Sequence, residues 1–540
     1  MIGPIFILLS LISLTIGQES SCPVKEAQFP CDAGTDTCMR RKHGPNEYTC
    51  VCDSNYCDDL GQLPDPSEGL ITVYESNKDG LRFRKNYYKN GKSSITEVPV
   101  KTKKSLTIKI HQDKRKQSIW GFGGAFTDST GINLLTLNES LARHVIDDYF
   151  STSGIGYSVG RVPVGGTDFS DRPYTYDDDH IDDFELTNFT LAPDDFDYKI
   201  PYIHQALQLN PSLKLLASAW SPPAWMKTSN SISKRGWLKD NPGDRYHKTW
   251  AKYYAKFFTE YKNNGIEFWG LTTGNEPVSS YLHSTFNGLT FSPSSQRDFI
   301  KKDLAPILAE AGFPLKEKLN LLVFDDQLPG ALVWVGKILN DKEANSLVSG
   351  VAFHWYANFV TPKSILNLLN RWYPGQLWIS SEACEGYRLF LDPVKVSLGD
   401  WGRAENYASD IISDLGHGAH GWIDWNMALD LTGGPNWADN RVDSPIIVNT
   451  TANEYLRQPL YYSLAHLAKF LVPESTRLET DGSHGSVEYV VFKRPDNNIA
   501  VVILNKNKYP INVTIKGGFS EDITWQVTAK SVTTIYGKSI

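Results

Sequence analysis

The chain has 540 residues, of which 41% are hydrophobic and 21% charged, a balance that supports a large buried core and excludes global disorder. Its 54 basic and 61 acidic residues leave a formal charge of −7, which argues against a general nucleic-acid binder with a basic surface. With 41 Gly and 29 Pro the chain is neither collagenous nor of low complexity, and its length suits a large catalytic domain with smaller modules.

The first element is a largely apolar, uncharged run from Ile5 to Ile16 followed by small residues near Gly17. It is too short to span a bilayer and reads as a signal peptide, which predicts a lumenal or secreted protein. Six of the seven cysteines (Cys22, Cys31, Cys38, Cys50, Cys52 and Cys57) follow within the first sixty residues, as in a disulfide-stapled segment of a secreted chain; six cysteines allow fifteen connectivities. Cys384 stands apart as an unpaired thiol. Sequons at Asn138, Asn188, Asn449 and Asn512 agree with a secretory route.

Leu70 to Ile110 and Gly485 to Tyr536 are rich in alternating β-branched residues separated by turn signals, which predicts an antiparallel β-sandwich built from both chain ends. Between them, eight short apolar runs alternate with helical patterns. The runs are 118–122, 156–161, 213–218, 267–271, 320–324, 350–354, 376–380 and 421–424, and His247 to Lys262 and Gln296 to Glu310 are the clearest helices. Alternation of this kind predicts a parallel sheet, and eight repeats predict a (β/α)8 TIM barrel, with an open doubly wound sheet as the alternative. The expected division is a leader at 1–17, a disulfide-rich segment at 18–68 packing with 427–454, a sandwich from 69–115 plus 474–540, and a barrel from 116–426 plus 455–473.

Reactive side chains of a barrel sit where its strands end. The fourth run leads into Thr272-Thr-Gly-Asn-Glu-Pro277 and the seventh into Ser380-Ser-Glu-Ala-Cys384. Either glutamate alone reads equally well as a salt-bridged loop residue. Together, at the mouth of one barrel, Glu276 and Glu382 suit a retaining glycosidase, whose two carboxyl groups stand about 5 Å apart. One attacks the anomeric carbon while the other protonates the departing oxygen, and their mutual repulsion keeps a proton on the acid. Such chemistry needs no metal or organic cofactor. A metal role for His354 finds no second ligand at helical spacing.

The Asn-Glu-Pro and Ser-Glu-Ala-Cys motifs, with His354-Trp-Tyr356, Gly421-Trp-Ile-Asp-Trp-Asn426 and Gly433-Gly-Pro-Asn-Trp437, resemble glycoside hydrolase family 30 over nearly the whole chain. The resemblance implies Glu276 as acid/base, Glu382 as nucleophile, and Asp168, Trp220, Asn275, Trp425 and Asn440 around the sugar. Arg161, His354 and Tyr356 then orient and tune Glu382. It further implies a retaining β-glucosidase cleaving glucosylceramide to glucose and ceramide in the lysosomal lumen or outside the cell. A saposin-type activator and anionic lipid would assist at the membrane surface. Tyr281-Leu282, Phe286, Leu328 and Trp334 are the candidate apolar residues for that approach. The sequence departs from the family pattern at Gly274, where a glutamate is common, at Arg441, where an apolar residue is expected, and in a shorter loop from Val278 to Leu289. Another family activity (a β-xylosidase or β-1,6-glucanase) and a non-catalytic carbohydrate- or lipid-binding protein are the alternatives.

Overall fold

A computed structural model of the chain describes residues 32–66, 69–95, 100–282, 285–387 and 394–540. The expected leader, Cys22 and Cys31 lie outside them. Of the remaining N-terminal cysteines, Cys38 pairs with Cys50 and Cys52 with Cys57, while Cys384 is free and buried.

Eight parallel strands close into a barrel. In chain order they are Gly121–Ala125, Val159–Val164, Lys214–Ala219, Gly270–Thr272, Asn320–Gln327, Gly350–His354, Leu377–Glu382 and Gly421–Asn426. Each overlaps one of the eight apolar runs. The first begins three residues later than expected, because Ser118 ends the preceding long strand, Ser105–Ser118, in another sheet. That strand also crosses the expected 115/116 border. The helix Arg245–Asn263 buries Trp250, Tyr253, Tyr254, Phe257, Phe258 and Tyr261, an apolar stripe at three-to-four spacing that the barrel covers. The second expected helix runs from Pro293 to Glu310 with a π-helical turn at Ile300–Leu304.

The barrel interior is apolar at its lower end, where Val159, Leu216, Leu322, Ala352, Ile379 and Ile423 from six strands meet Trp120. Burying a side chain of the Val, Leu or Ile class stabilises by about 1.5–3 kcal/mol, and this layer supports the costly polar layer above it.

A ten-stranded sheet gathers strands from both ends of the chain around its own apolar core. Ser105–Ser118 pairs antiparallel with Thr476–Asp481 but parallel with Ile511–Lys516, so the expected all-antiparallel sandwich is corrected at that pair. A third, five-stranded sheet joins Arg40–Gly44 and Glu47–Cys52 to Glu454–Arg457, Ile446–Asn449 and Ala428–Asp430. The disulfide-bearing hairpin thus lies against the segment that follows the eighth barrel strand, next to the barrel mouth. Among the described residues no helix is long and apolar enough to cross a membrane.

Candidate active site

Polar residues at the upper ends of six barrel strands converge on one buried cluster. Arg161 on the second strand is fully buried and donates from Nη1 to Glu382 Oε2. Its Nη2 donates to Asn275 Oδ1 at 2.7 Å, Asp325 Oδ2 at 3.0 Å and Ser218 Oγ at 3.2 Å. One guanidinium therefore ties the second, third, fourth, fifth and seventh strands together, and its planar fork suits this divided duty.

Local backbone geometry aims the carboxylates. Glu276 has φ +47°, Phe324 +79° and Asp325 +53°, a region that costs side-chain-bearing residues about 1–3 kcal/mol and is tolerated where function demands it. The register between the fifth and sixth strands slips between Phe324 and Asp326, and a bulge of this kind re-aims side chains at a barrel rim. Gly274 has φ +139°, a conformation that favours glycine; the departure from the expected glutamate goes with this turn.

His354 is fully buried. Its Nδ1 meets Glu276 Oε1 at 3.1 Å and its Nε2 meets Asp325 Oδ1 at 3.1 Å, with Glu382 Oε1 at 3.7 Å from Nδ1. Burial alone would depress its pKa, but the Glu382 charge and the bonds to Asp325 and Glu276 push it up to about 10, so the ring is an imidazolium. His354 was expected to tune Glu382; its nearer carboxylate among the two glutamates is Glu276. Tyr356 Oη donates to Glu382 Oε1 at 2.9 Å. Oxygens of Glu276 and Glu382 and a nitrogen of His354 all lie within 4.8 Å of one another. That trio has the donor types of a metal site, which the spacing argument missed, because the ligands come from three strands rather than one helix. The imidazolium, with both N–H groups directed at carboxylates, supplies positive charge to the trio itself.

Above this cluster lies a cavity of about 370 Å³ whose lining includes Asp168, Trp220, Asn275, Glu276, Glu382 and Asn440. Trp425 also lines it and stacks on Trp220 at 5.1 Å between centroids, with Arg161 4.9 Å from the Trp220 ring. Asp168 accepts from Asn440 Nδ2 at 3.1 Å rather than pairing with Arg161. Burial, then the nearby Glu382 charge, pushes its pKa up to about 7. All ten expected site residues are thus brought together.

Three further residues carry no expected role. Asp325 accepts from Arg161, His354, Ser218 and Ser381; although burial opposes ionisation, Arg161 and His354 hold it well below the usual carboxylate range. Gln327 Nε2 donates to Glu276 Oε1 at 2.7 Å. Asp326 accepts from the backbone of Val278 and Ser279 and from the Ser279 hydroxyl. Burial and the Glu276 charge push its pKa up to about 6. The available signal was the polar Asp325-Asp326-Gln327 run closing the fifth strand.

At the cavity mouth Tyr281 and Leu282 are exposed, Leu282 at 80%, and Phe286 is half-buried. Leu328 and Trp334 are buried and are withdrawn from the apolar rim: Trp334 donates to Gln296 Oε1 inside the helical layer. Phe359 and Val360, 64% and 68% exposed after the sixth strand, stand near the rim instead. Arg441 turns to Asp439 and Thr432.

Comparison with known proteins agrees with this geometry. Residues 119–471 match the glycosyl hydrolase family 30 TIM-barrel domain and 474–535 the glycosyl hydrolase family 30 beta sandwich domain. Lysosomal acid glucosylceramidase of Mus musculus is 38% identical over 91% of this chain and 94% of its own length. Putative glucosylceramidase 3 of Caenorhabditis elegans is 42% identical over 80% of this chain and 81% of its own. In fold, the crystal structure of SrfJ from Salmonella typhimurium superposes with a TM-score of 0.76 at 24% identity, covering 87% of this chain and all of that one. With the family's barrel and sandwich both matched and relatives aligned over most of the chain, the chain belongs to glycosyl hydrolase family 30.

Proposed function

We propose that this chain is a retaining β-glucosidase that hydrolyses glucosylceramide to glucose and ceramide through a covalent glucosyl-enzyme intermediate. The observation that carries the reading is the pair Glu276 and Glu382, with carboxyl oxygens within 4.8 Å of each other at one cavity. That closeness suits the about 5 Å carboxyl separation of retaining enzymes better than the wider spacing that admits an attacking water, which supports attack by the enzyme itself.

Glu382 is the nucleophile: Arg161 and Tyr356 both donate to it, a donor set that holds its oxygens on line. Glu276 delivers a proton to the glycosidic oxygen as the C–O bond breaks, then takes one from water as the ester is hydrolysed. Its partners His354 and Gln327 meet the same oxygen, Oε1. Asn275, whose Oδ1 is held by Arg161, presents its amide nitrogen to a sugar hydroxyl, and Asp168 with Asn440 accepts and donates at the far side of the ring. Trp220 and Trp425 offer apolar faces to sugar C–H groups.

The exposed Tyr281, Leu282, Phe359 and Val360 fit an aglycone that stays rooted in a bilayer, and Lys234 and Arg235 beside Tyr281 add charge suited to anionic lipid. The glucosylceramidase names of the relatives support the lipid substrate, and the name of the mouse relative supports a lysosomal setting; an activator of the saposin type is the assisting partner this reading adds. The test is hydrolysis of glucosylceramide in anionic liposomes at acidic pH, with and without such an activator. Glucose is expected to appear first as the β-anomer by NMR. Release of the α-anomer, or cleavage of β-xylosides or β-1,6-glucans in preference to β-glucosides, would overturn the assignment.

A further inference from the structure

Lys227 follows the third barrel strand in a segment that returns on itself, with Thr228 and Lys239 bonded in the backbone to Trp237 and Met226. Its side chain is fully buried, and Nζ donates to Gly288 O at 2.6 Å, Ile232 O at 2.7 Å, Lys234 O at 3.0 Å and Ser221 Oγ at 3.3 Å. Every acceptor is neutral. Residues 221–238 and 277–291 contain no Asp or Glu, and among the described residues no carboxylate pairs with this ammonium. A buried lysine without a counter-ion is costly, so its retention here calls for a task.

Its position supplies one. Ile232 and Lys234 belong to the loop 229–237, and Gly288 to the segment 285–290, which also carries Phe286 of the cavity lining. Two backbone bonds, Gly288 to Ile232 and Thr290 to Gly236, and the packing of Trp237 and Arg235 on Tyr281 complete the contact between the loops. Three of the four acceptors are backbone carbonyls of these two segments, so the ammonium sits at their junction as a bound cation would.

We propose that Lys227 is a positioning residue that pins the loops 229–237 and 285–290 together and thereby shapes the aglycone side of the cleft, a pin that is set under acidic conditions and released towards neutrality. The inference rests on the glycosidase reading above for the identity of the aglycone side, but the pin itself does not depend on it. Burial lowers the Lys227 pKa to about 7, so the ammonium is fully charged at pH 5 and largely neutral at pH 8. The neutral amine keeps two N–H donors for four acceptors and loses the charge that strengthened each bond. The charged or titratable groups on the packed segments are Lys234, Arg235, Lys239 and Tyr281, with His283 outside the described residues; segment 220–226 has none. The cations among them favour release of the proton, in the same direction as burial.

The test is hydrogen exchange by mass spectrometry on the full chain at pH 5 and pH 8, corrected for intrinsic exchange. Protection of 229–237 and 285–290 should fall at least tenfold between the two pH values, while helix 245–263 is unchanged. Lys227→Met should show the low protection at both pH values, and Lys227→Arg should hold the higher protection at both. At pH 5, the KM for a long-chain alkyl β-glucoside relative to methyl β-glucoside should rise at least fivefold in Lys227→Met. Equal loop protection at both pH values in the parent overturns the pin even if neither variant folds, as does a Met variant with parental protection or an unchanged KM ratio. Because exchange needs no turnover, a parent protein without β-glucosidase activity would sink the proposed function and leave this result standing.

Discussion

Replacing Asp325 by Asn tests the charge network most directly, since it keeps shape and removes one buried charge. The parent carboxylate receives Arg161 at 3.0 Å and His354 at 3.1 Å, and the hydroxyls of Ser381 at 2.6 Å and Ser218 at 2.8 Å. The amide oxygen can still accept from one of the two hydroxyls, which bond to different carboxylate oxygens, but each cation loses one of its counter-charges. A hydrogen bond to a charged group contributes about 1.5–3 kcal/mol, and stripping one partner from a buried ion pair costs about 3–5 kcal/mol, so the expected loss is about 4 kcal/mol. Urea unfolding followed by tryptophan fluorescence measures it, because Trp220 and Trp425 lie within 5.5 Å of Arg161. The pH dependence has a definite sign. Asp325 is held below the usual carboxylate range, so its contribution is already complete above an unfolded value of about 4 and does not vary between pH 5 and 7. His354, raised to about 10, contributes fully below its unfolded value of about 6.5 and progressively less as pH climbs to 10. Because Glu382 and Glu276 still raise His354 in the variant, the stability gap between parent and variant is flat from pH 5 through neutrality and narrows only above the variant's lowered His354 value. Turnover should fall at least about 100-fold, the scale of a misplaced nucleophile. A variant within about 1 kcal/mol of the parent at pH 5.5, or a gap that widens above pH 7, would refute the network as described.

Glu382→Gln should abolish turnover of every β-glucoside and, because it takes one counter-charge from the buried Arg161, lower the unfolding midpoint; near-normal activity would remove Glu382 from its role. Glu276→Gln should slow substrates with poor leaving groups far more than aryl glucosides with acidic phenols, and equal losses on both would deny Glu276 the proton-donor role. Asp168, with its pKa pushed up to about 7, holds its proton near pH 5, where its hydroxyl can donate to one sugar hydroxyl and its carbonyl oxygen accept from another. Calorimetry of a neutral glucose-like inhibitor in buffers of different ionisation enthalpy should therefore report almost no proton exchange at pH 5, and release of nearly one proton there would contradict this account.

The barrel was legible because each strand is a short apolar run that ends in polar residues, and those ends are where the site assembles. Glu276 and Glu382 could be singled out because their neighbours Asn275 and Cys384 sit in distinctive motifs. What the sequence hid depends on contacts between strands. Nothing near Phe324 and Asp325 announces positive φ, since neither is Gly or Asn, so the bulge that aims Asp325 was silent. Gln327 reaches Glu276 from the neighbouring strand, 51 residues along the chain, a contact no local pattern encodes. The burial of Trp334 was readable: with Val335 and Ile338 it forms the inward stripe of Ala331–Leu339, and periodicity outweighs the exposure expected of an aromatic near the mouth. The parallel pairing of Ser105–Ser118 with Ile511–Lys516 was invisible because alternating β-branched strands look alike in either direction.

The charge count of the cluster explains why it should work in acid. Five buried carboxyl groups, Asp168, Glu276, Asp325, Asp326 and Glu382, surround two cations, Arg161 and His354. If all five ionised, the pocket would hold three uncompensated negative charges in a medium that screens them poorly. Asp325 and Glu382 face Arg161 directly, so the two cations offset these two. Asp168 and Asp326, raised to about 7 and about 6, are neutral near pH 5, and the catalytic cycle requires one proton on Glu276. At that pH the protons on Asp168 and Asp326 keep the excess negative charge of the cluster small. As pH rises through 6 to 7, Asp326 ionises beside Glu276 and Asp168 beside Glu382, and each new charge opposes those around it. The kcat/KM profile should therefore peak below pH 6.5 and decline through pH 7, and Asp326→Asn, which removes one of the ionisations, should displace the declining limb. A parent profile peaking above neutrality would show that the proton inventory of this pocket is not what limits the reaction.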